Sequence, residues 1–593
     1  MLIGKNKQNK IVNILDSVSE GVYACPICHE ELIRNFGAER QYFSHPKGKG
    51  DECEWKVKEF LNKNVEITDK DMELLDKEYF KKEFEDIKIE MSDYISEEGY
   101  KLTKEQVEII KSKEDRIKVS ALAGSSKTTT MYYYAKENPQ NRTLYLVYNS
   151  AMKKEAESTF GKLSHVTVKT CHGLAFSYVG KFYKNKLTFN YTPVDIIRDL
   201  DLDWNKDQEI AVMVGVMLKE YMLSDKDTLE ELEVYKDKEH EKYRSSILHL
   251  AHKLWELKKE YKNDVKIEHD FYLKLFQLSK KDLSNMYDCI ILDEAQDSNL
   301  LTYDMIKNSN VNGIVFIGDK YQQMYGWRNA FNILDIFDAK EYKLTTSFRV
   351  SQNIANVANL LVQDVTGEEI GMTGVNTKQH IVHQIDVKKH YACLARTNSA
   401  LFEEVLIAIK NGKRKLFFEG GFDSYKFNNI KDTYFFSTGC PTKNPILSKF
   451  KNYDSMVEYA EKNEDMELLS LIRTVDKYGS DIPKLVDGIK NNTCKYKNES
   501  DIVLTTCHRA KGQTYKNVKL CNDYGSMNDF FNKIFIENIQ DTKENKNERT
   551  ELIDKFKDEC YVLYVAITRA SGQIQLNDDL KNYLLLRHKF LTK

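Results

Sequence analysis

From residue 101 onward the chain repeats one pattern: a short run, apolar or β-branched nearly throughout, followed by a longer amphipathic stretch. The runs are IKVSA, TLYLVYN, VTVKT, CIILD, GIVFIGD, ACLART, IVLTT and YVLYVAIT. A strand with no polar face is covered on both sides, and a parallel neighbour is reached only through a crossover of about a dozen residues. The pattern therefore predicts an α/β chain whose parallel sheets are sandwiched by helices. Two stretches, about 181–285 and 432–500, carry helical spacing alone and read as helical subdomains grown from the loops of two α/β domains, 101–350 and 351–593. Residues 1–60 are aromatic and bear Cys and His. Residues 61–100 are charged with helical spacing (Leu61, Val65, Leu74, Leu75, Tyr79, Phe80) and are expected to form a helical connector.

Composition narrows the class. With 593 residues, 41% of them hydrophobic, several cores can be built. No apolar run reaches the ~18 residues of a membrane span. The N-terminal MLIGKNKQNK lacks the apolar core of a secretory signal. Without that signal, the 11 cysteines are expected to be reduced. A cytoplasmic or nucleoid-associated protein is expected, and the Lys-, Asn- and Tyr-rich usage points to a bacterium or a phage-infected cell. A net charge of -3 leaves nucleic acid open, because a narrow basic groove does not show in the total.

The run IKVSA leads directly into LAGSSKTTT and a helix start near Thr128. Strand, tight loop and helix N-terminus together direct backbone amides at an anion, as a nucleotide phosphate requires. Ala123, Gly124, Ser125, Ser126 and Thr129 would line the loop, Lys127 would reach the β- and γ-phosphates, and Thr128 would offer its hydroxyl to Mg²⁺. Ala121 and Ser126 stand where glycines usually do, which leaves a Ser/Thr-capped helix after a strand as the lesser alternative for this stretch alone. The run YDCIILDEAQD adds a second feature: a buried strand carrying Asp293 and Glu294 to its C-terminal end, where parallel sheets bind ligands. Asp293 would hold Mg²⁺ and Glu294 would polarise water. GIVFIGD brings Asp319 and Gln322 toward the same crevice.

In order and spacing these runs resemble the superfamily 1 DNA helicases of the UvrD/Rep/PcrA type across about 101–576. LTKEQ resembles their adenine-reading motif, with Gln106 on the base. TLYLVYNSAMKKEAE and KTCHGLA resemble the DNA-contacting motifs, and GDKYQQMYGWRNA, LTTSFR, ARTN, TTCHRAKG and LYVAITRA complete the set. Within that group the likeness is strongest to the F-box DNA helicases, although no stretch reads as an F-box. The resemblance implies two RecA-like parallel-sheet motor domains with helical insert subdomains, and 3′–5′ translocation on single-stranded DNA. It also implies that Gln322 senses the γ-phosphate, that Arg349 and Arg569 are arginine fingers, and that Phe348 stacks on adenine. Thr514 stands where a ribose-contacting glutamate is usual, and Asn329 replaces a glycine.

Tyr148, Thr170, His172, Tyr325, Trp327, Arg396 and His508 fall in the motifs that face DNA in that family. Stacking on any base suits Trp327, whereas core packing is as good a reading for Tyr325. At the N-terminus, Cys25, Cys28, His45 and Cys53 form a CxxC knuckle followed by one His and one Cys, the donor set of a closed tetrahedral zinc site, with His29 as a competing ligand. This zinc-finger-like head resembles that of CoiA-like competence proteins and suits docking to a fork or a partner protein. His249 and His252 flank an apolar stripe and read as ordinary helix residues. The expected protein is an ATP-, Mg²⁺- and Zn²⁺-dependent motor on single-stranded and forked DNA, monomeric when isolated and without membrane contact. A nucleotide-gated DNA-binding switch with slow hydrolysis, an RNA-directed motor, and a helicase subunit of a larger assembly are the alternatives.

Overall fold

Residues 116–344 build a six-stranded sheet from β1 (Arg116–Ala121), β2 (Thr143–Val147), β3 (Val166–Thr170), β4 (Cys289–Leu292), β5 (Gly313–Gly318) and β6 (Lys340–Leu344). All of its pairings are parallel, in the order β3-β2-β4-β5-β1-β6. Side chains alternate between the two faces, as the period-2 geometry of a strand demands. Leu144, Leu146, Ile290, Leu292, Ile314 and Phe316 enter one core. Ile117, Val119, Tyr145, Val147, Ile291, Val315 and Ile317 enter the other. The structure is a computed structural model; it describes residues 91–96, 99–189, 191–203, 206–236, 240–324, 332–444, 446–462, 466–527, 529–530 and 543–591, plus five short backbone strands between Ile3 and Ser44 that pair as one antiparallel sheet.

The chain divides into two units, one spanning Ile89–Thr345 and the other holding Thr346–Lys593. The first carries, between β3 and β4, a helical insert that includes α1 (Pro193–Leu200), α2 (Gln208–Leu223), α3 (Glu241–Lys259) and α4 (His269–Leu278). Its core gathers Leu200, Val214, Met217, Ile247, Leu254 and Trp255. Two buried lysines close its loops. Lys258 pairs with Glu268 at 2.7 Å and stands 3.3 Å from the centre of the Tyr191 ring. Lys274 donates to the carbonyls of Ser224 (3.0 Å) and Lys226 (2.5 Å) just past the end of α2.

The second unit repeats the plan with β7 (His380–Ile381), β8 (Tyr391–Ala395), β9 (Leu416–Phe418), β10 (Ile502–Thr506), β11 (Tyr515–Leu520) and β12 (Ala570–Gln575). They too are all parallel, ordered β7-β12-β11-β8-β10-β9. Helices at Phe427–Ser437, Tyr453–Lys462, Met466–Tyr478 and Ile482–Asn491 fill the interval between β9 and β10.

Two expectations need correction. YVLYVAI is no strand: it is the last two turns of α5 (Lys543–Ile567), and Val562 to Ile567 are all buried. An apolar run buried on every side has no periodicity to separate helix from strand. The strand is the more polar ASGQIQ that follows. Met91–Ile95, within the stretch read as a helical connector, is a strand paired antiparallel with Lys101–Thr103. Residues 61–90 lie outside the described residues, as do Cys25, Cys28, His29, His45 and Cys53, on which the zinc expectation rests. Among the described residues no group of three or more His, Cys, Asp or Glu is placed to hold a metal ion. The eight cysteines among them are free thiols, and none of the described helices is long and apolar enough to cross a membrane.

Candidate nucleotide site

The strand order decides what meets at this site. β5 lies between β1 and β4, so the C-terminal ends of three neighbouring strands carry the AGSSKT loop, the Asp319–Gln322 turn and the Asp293–Glu294 pair side by side. Past β1 the chain turns through Gly124 (φ +75°) and Ser126 (φ +61°, ψ +43°) into a helix, Lys127–Glu137. Ala123 and Ser125 are buried, Thr128 is half-buried and Thr129 is exposed. The Ser125 hydroxyl has no hydrogen-bond partner, a state that a bound phosphate oxygen would relieve.

Lys127 Nζ lies 3.6 Å from Glu294 Oε1, with both side chains mostly buried. Glu294 sits in left-handed backbone (φ +54°) and accepts from Gln296 Nε2 at 2.5 Å. Gln296 Oε1 accepts the Asp319 N–H at 3.0 Å, and Gln322 Nε2 donates to Asp319 Oδ2 at 2.7 Å. A polar relay thus links the lysine to Gln322, through the mostly buried Glu294 and the fully buried Gln296 and Asp319. Asp293 is buried; burial and the adjacent Glu294 push its carboxyl up to about 6, against the opposing pull of Lys127 and a hydrogen bond from Tyr145. Thr128 and Asp293 are hard oxygen donors that follow strands separated only by β5, the kind of donor that Mg²⁺ prefers.

Gln106, expected on the base, is buried and closes a capping box: its Oε1 accepts the Thr103 N–H (3.0 Å), while its Nε2 donates to Thr130 Oγ1 (3.1 Å). The Thr130 hydroxyl donates in turn to the Ser126 carbonyl at 3.0 Å. The motif therefore braces the phosphate loop from behind.

In the second unit, Arg349 donates to the Thr568 carbonyl at 3.3 Å. Arg569 is fully buried and donates to the Val565 carbonyl (2.9 Å), the Thr568 hydroxyl (2.9 Å) and the Gln513 carbonyl (3.4 Å). Asn376 ties the carbonyl of Arg349 to that of Ser571, so both arginines and the segment leading to Thr514 gather at the starts of β11 and β12. Phe348 and Thr514 are exposed.

The DNA-motif residues differ among themselves. Tyr148 is exposed. The Thr170 hydroxyl caps the helix Cys171–Tyr178, and His172 Nε2 lies 3.0 Å from Asp270 Oδ1. Arg396 is half-buried and paired with Glu559 at 3.1 Å, as a charge leaving water requires. His508 is half-buried on a single turn after β10, while Tyr325, Trp327 and Asn329 lie outside the described residues. His252, read as an ordinary helix residue, meets Glu230 at 2.7 Å, a partner its own helix gives no hint of. Tyr145, Thr130 and Gln296 escape the sequence reading altogether. The signal is a tyrosine in the middle of the strand TLYLV, flanked on both sides by leucine.

Comparison with known proteins gives the same direction. Residues 102–341 match the UvrD/REP helicase N-terminal domain family. F-box DNA helicase 1 of Gallus gallus is 28% identical over 523 residues, covering 82% of this chain and 50% of that protein. F-box DNA helicase protein 1 of Schizosaccharomyces pombe is 26% identical over 538 residues, 80% of this chain and 57% of its own length. ATP-dependent DNA helicase PcrA of Staphylococcus aureus is 28% identical over 141 residues, 22% of this chain and 18% of that one. The chain thus spans about half the length of the two F-box helicases.

Proposed function

We propose that the chain, whose residues 102–341 match the UvrD/REP helicase N-terminal domain, is an ATP-driven motor on single-stranded DNA, moving 3′ to 5′ and opening duplexes. The observation that carries the reading is the meeting of Lys127, Glu294, Asp293 and Gln322 at three adjacent strand ends through a mostly buried ion pair and a set of hydrogen bonds.

In this reading Lys127, the loop amides and the Ser125 hydroxyl bind the phosphates. Thr128 and Asp293 would hold Mg²⁺, which supplies charge neutralisation on the phosphates when bound. Glu294 orients the attacking water and accepts its proton; nucleotide binding draws Lys127 away from it and frees the carboxylate for that task. Arg349 and Arg569 stabilise charge on the transferred group, and a guanidinium suits this because it stays protonated and donates bidentately. Gln322, at the far end of the relay, moves with the state of Glu294. Tyr148 and Trp327 stack on bases without regard to sequence.

The reading is tested by unwinding of duplexes bearing a 3′ or a 5′ single-stranded tail. ATP-dependent opening of the 3′-tailed substrate alone is expected. Opening of the 5′-tailed duplex alone would reverse the direction, and opening of neither would reject the motor. The N-terminal Cys25, Cys28, His45 and Cys53 are proposed to hold one zinc. Cys25→Ser with Cys28→Ser is expected to remove it, as measured by elemental analysis of the full chain, and unchanged zinc would refute the assignment.

A further inference from the structure

Tyr145 is the one polar-tipped residue in the middle of β2, whose five residues are all buried. It pairs in register with Ile291 of β4, two residues before Asp293, and the Asp293 N–H extends that ladder to the Leu146 carbonyl at 2.9 Å. The ring packs on Phe160 (centroids 4.3 Å apart), a contact that phenylalanine would make equally well. The hydroxyl has a narrower use: it donates to Asp293 Oδ2 at 2.7 Å, and the Thr128 side chain also faces it. Asp293 Oδ1 accepts the Glu294 N–H at 2.9 Å. Each carboxylate oxygen is thereby held by one donor and keeps a lone pair. A carboxylate pinned through both oxygens cannot rotate, and its remaining lone pairs point where the protein sets them.

We propose that Tyr145 is the positioning residue of the Mg²⁺ site, fixing Asp293 against Thr128 so that metal and nucleotide bind together. The inference rests on the nucleotide-site reading above and is independent of whether the chain moves on DNA. Tyr145 touches neither nucleotide nor metal; it acts through Asp293, as outer partners of metal ligands do.

The test is Tyr145→Phe in the full chain, with affinity for a fluorescent N-methylanthraniloyl-ATP measured without DNA, in EDTA and across a Mg²⁺ titration. Affinity in EDTA is expected to stay within about twofold of wild type, while the half-saturating Mg²⁺ concentration rises by about tenfold or more. An unchanged Mg²⁺ response overturns the proposal, as does a wild type whose nucleotide affinity ignores Mg²⁺. Phe160→Leu disturbs the same packing and leaves the hydroxyl in place, so it should keep the wild-type Mg²⁺ response; an equal shift there would assign the effect to packing and overturn the proposal. Should Tyr145→Phe fail to fold, 3-fluorotyrosine placed at position 145 reports on the intact site. Its ¹⁹F resonance should move when Mg²⁺ is added to the nucleotide complex, and a resonance indifferent to Mg²⁺ overturns the proposal. A motor that fails on tailed duplexes leaves all these readouts standing, so the two ideas fail separately.

Discussion

Ser126 occupies φ +61°, ψ +43°, a region where a β-carbon costs about 1 kcal/mol or more. Glycine removes that cost, and its hydroxyl loss is small because Ser126 makes no side-chain cap on the helix it precedes. Ser126→Gly is therefore expected to raise folding stability by up to ~1 kcal/mol, after the offset from a more flexible unfolded chain. ATPase should be equal or faster; a tenfold loss would mean that the serine itself handles phosphate. Gly318 makes the converse case. A β-carbon there would lie 2.2 Å from Gln296 Oε1, the atom that accepts the Asp319 N–H. Gly318→Ala is expected to break the relay, destabilise the first unit by about 1–3 kcal/mol and cut hydrolysis more than nucleotide binding. Equal losses of both would argue against the relay.

Among the elements, the insert offers a pH signature. Burial pulls the Lys274 ammonium down to about 8, only partly offset by Asp227, Asp304 and Asp225. With a folded value below the unfolded one, the unfolded chain binds more protons between about pH 8 and 10.5, so this group's contribution to stability rises with pH across that window and is lost as pH falls through 8. Urea midpoints of wild type should gain relative to Lys274→Met from pH 8 to 10.5, and parallel profiles would contradict the assignment. Lys274→Met should also cost about 1–3 kcal/mol at pH 7, because the Ser224 and Lys226 carbonyls lose their donor. Nothing in SDKDTLE near α2 reveals that a lysine fifty residues away closes the loop, since such closure depends on tertiary packing.

Strands fared by the same physics. β2, β4 and β5 were legible because both faces are buried, and β8 and β10 likewise. β6 (KEYKL) lies at an edge, and its burial is confined largely to Leu344. β11 and β12 meet through an irregular register at Tyr515 and Asn517, and polar residues make up half of each strand or more. The candidate nucleotide residues could be picked out because a glycine-bearing loop after a strand and an acidic strand end are each local in sequence. Tyr145, Thr130 and Gln296 were not, because what they do depends on β2 and the helix Lys127–Glu137 arriving beside them.

At the scale of the whole molecule, two six-stranded parallel sheets, each interrupted by helices, carry the same plan twice in one chain. The formal charge of -3 makes any grip on DNA a matter of local charge, so binding to single strands should weaken steeply with added salt and show little sequence preference. A salt-independent affinity would contradict the charge-based grip, and a sequence-specific one would contradict stacking on exposed aromatics. The central claim, that the buried cluster around Lys127 is a working ATPase driven by DNA, is tested most directly by hydrolysis rates of wild type and Lys127→Ala with and without single-stranded DNA. Wild type is predicted to be stimulated severalfold or more by the strand, and Lys127→Ala to lose about 100-fold or more of that rate. A wild type that hydrolyses ATP no faster with DNA, or a Lys127→Ala variant as active as wild type, would contradict it.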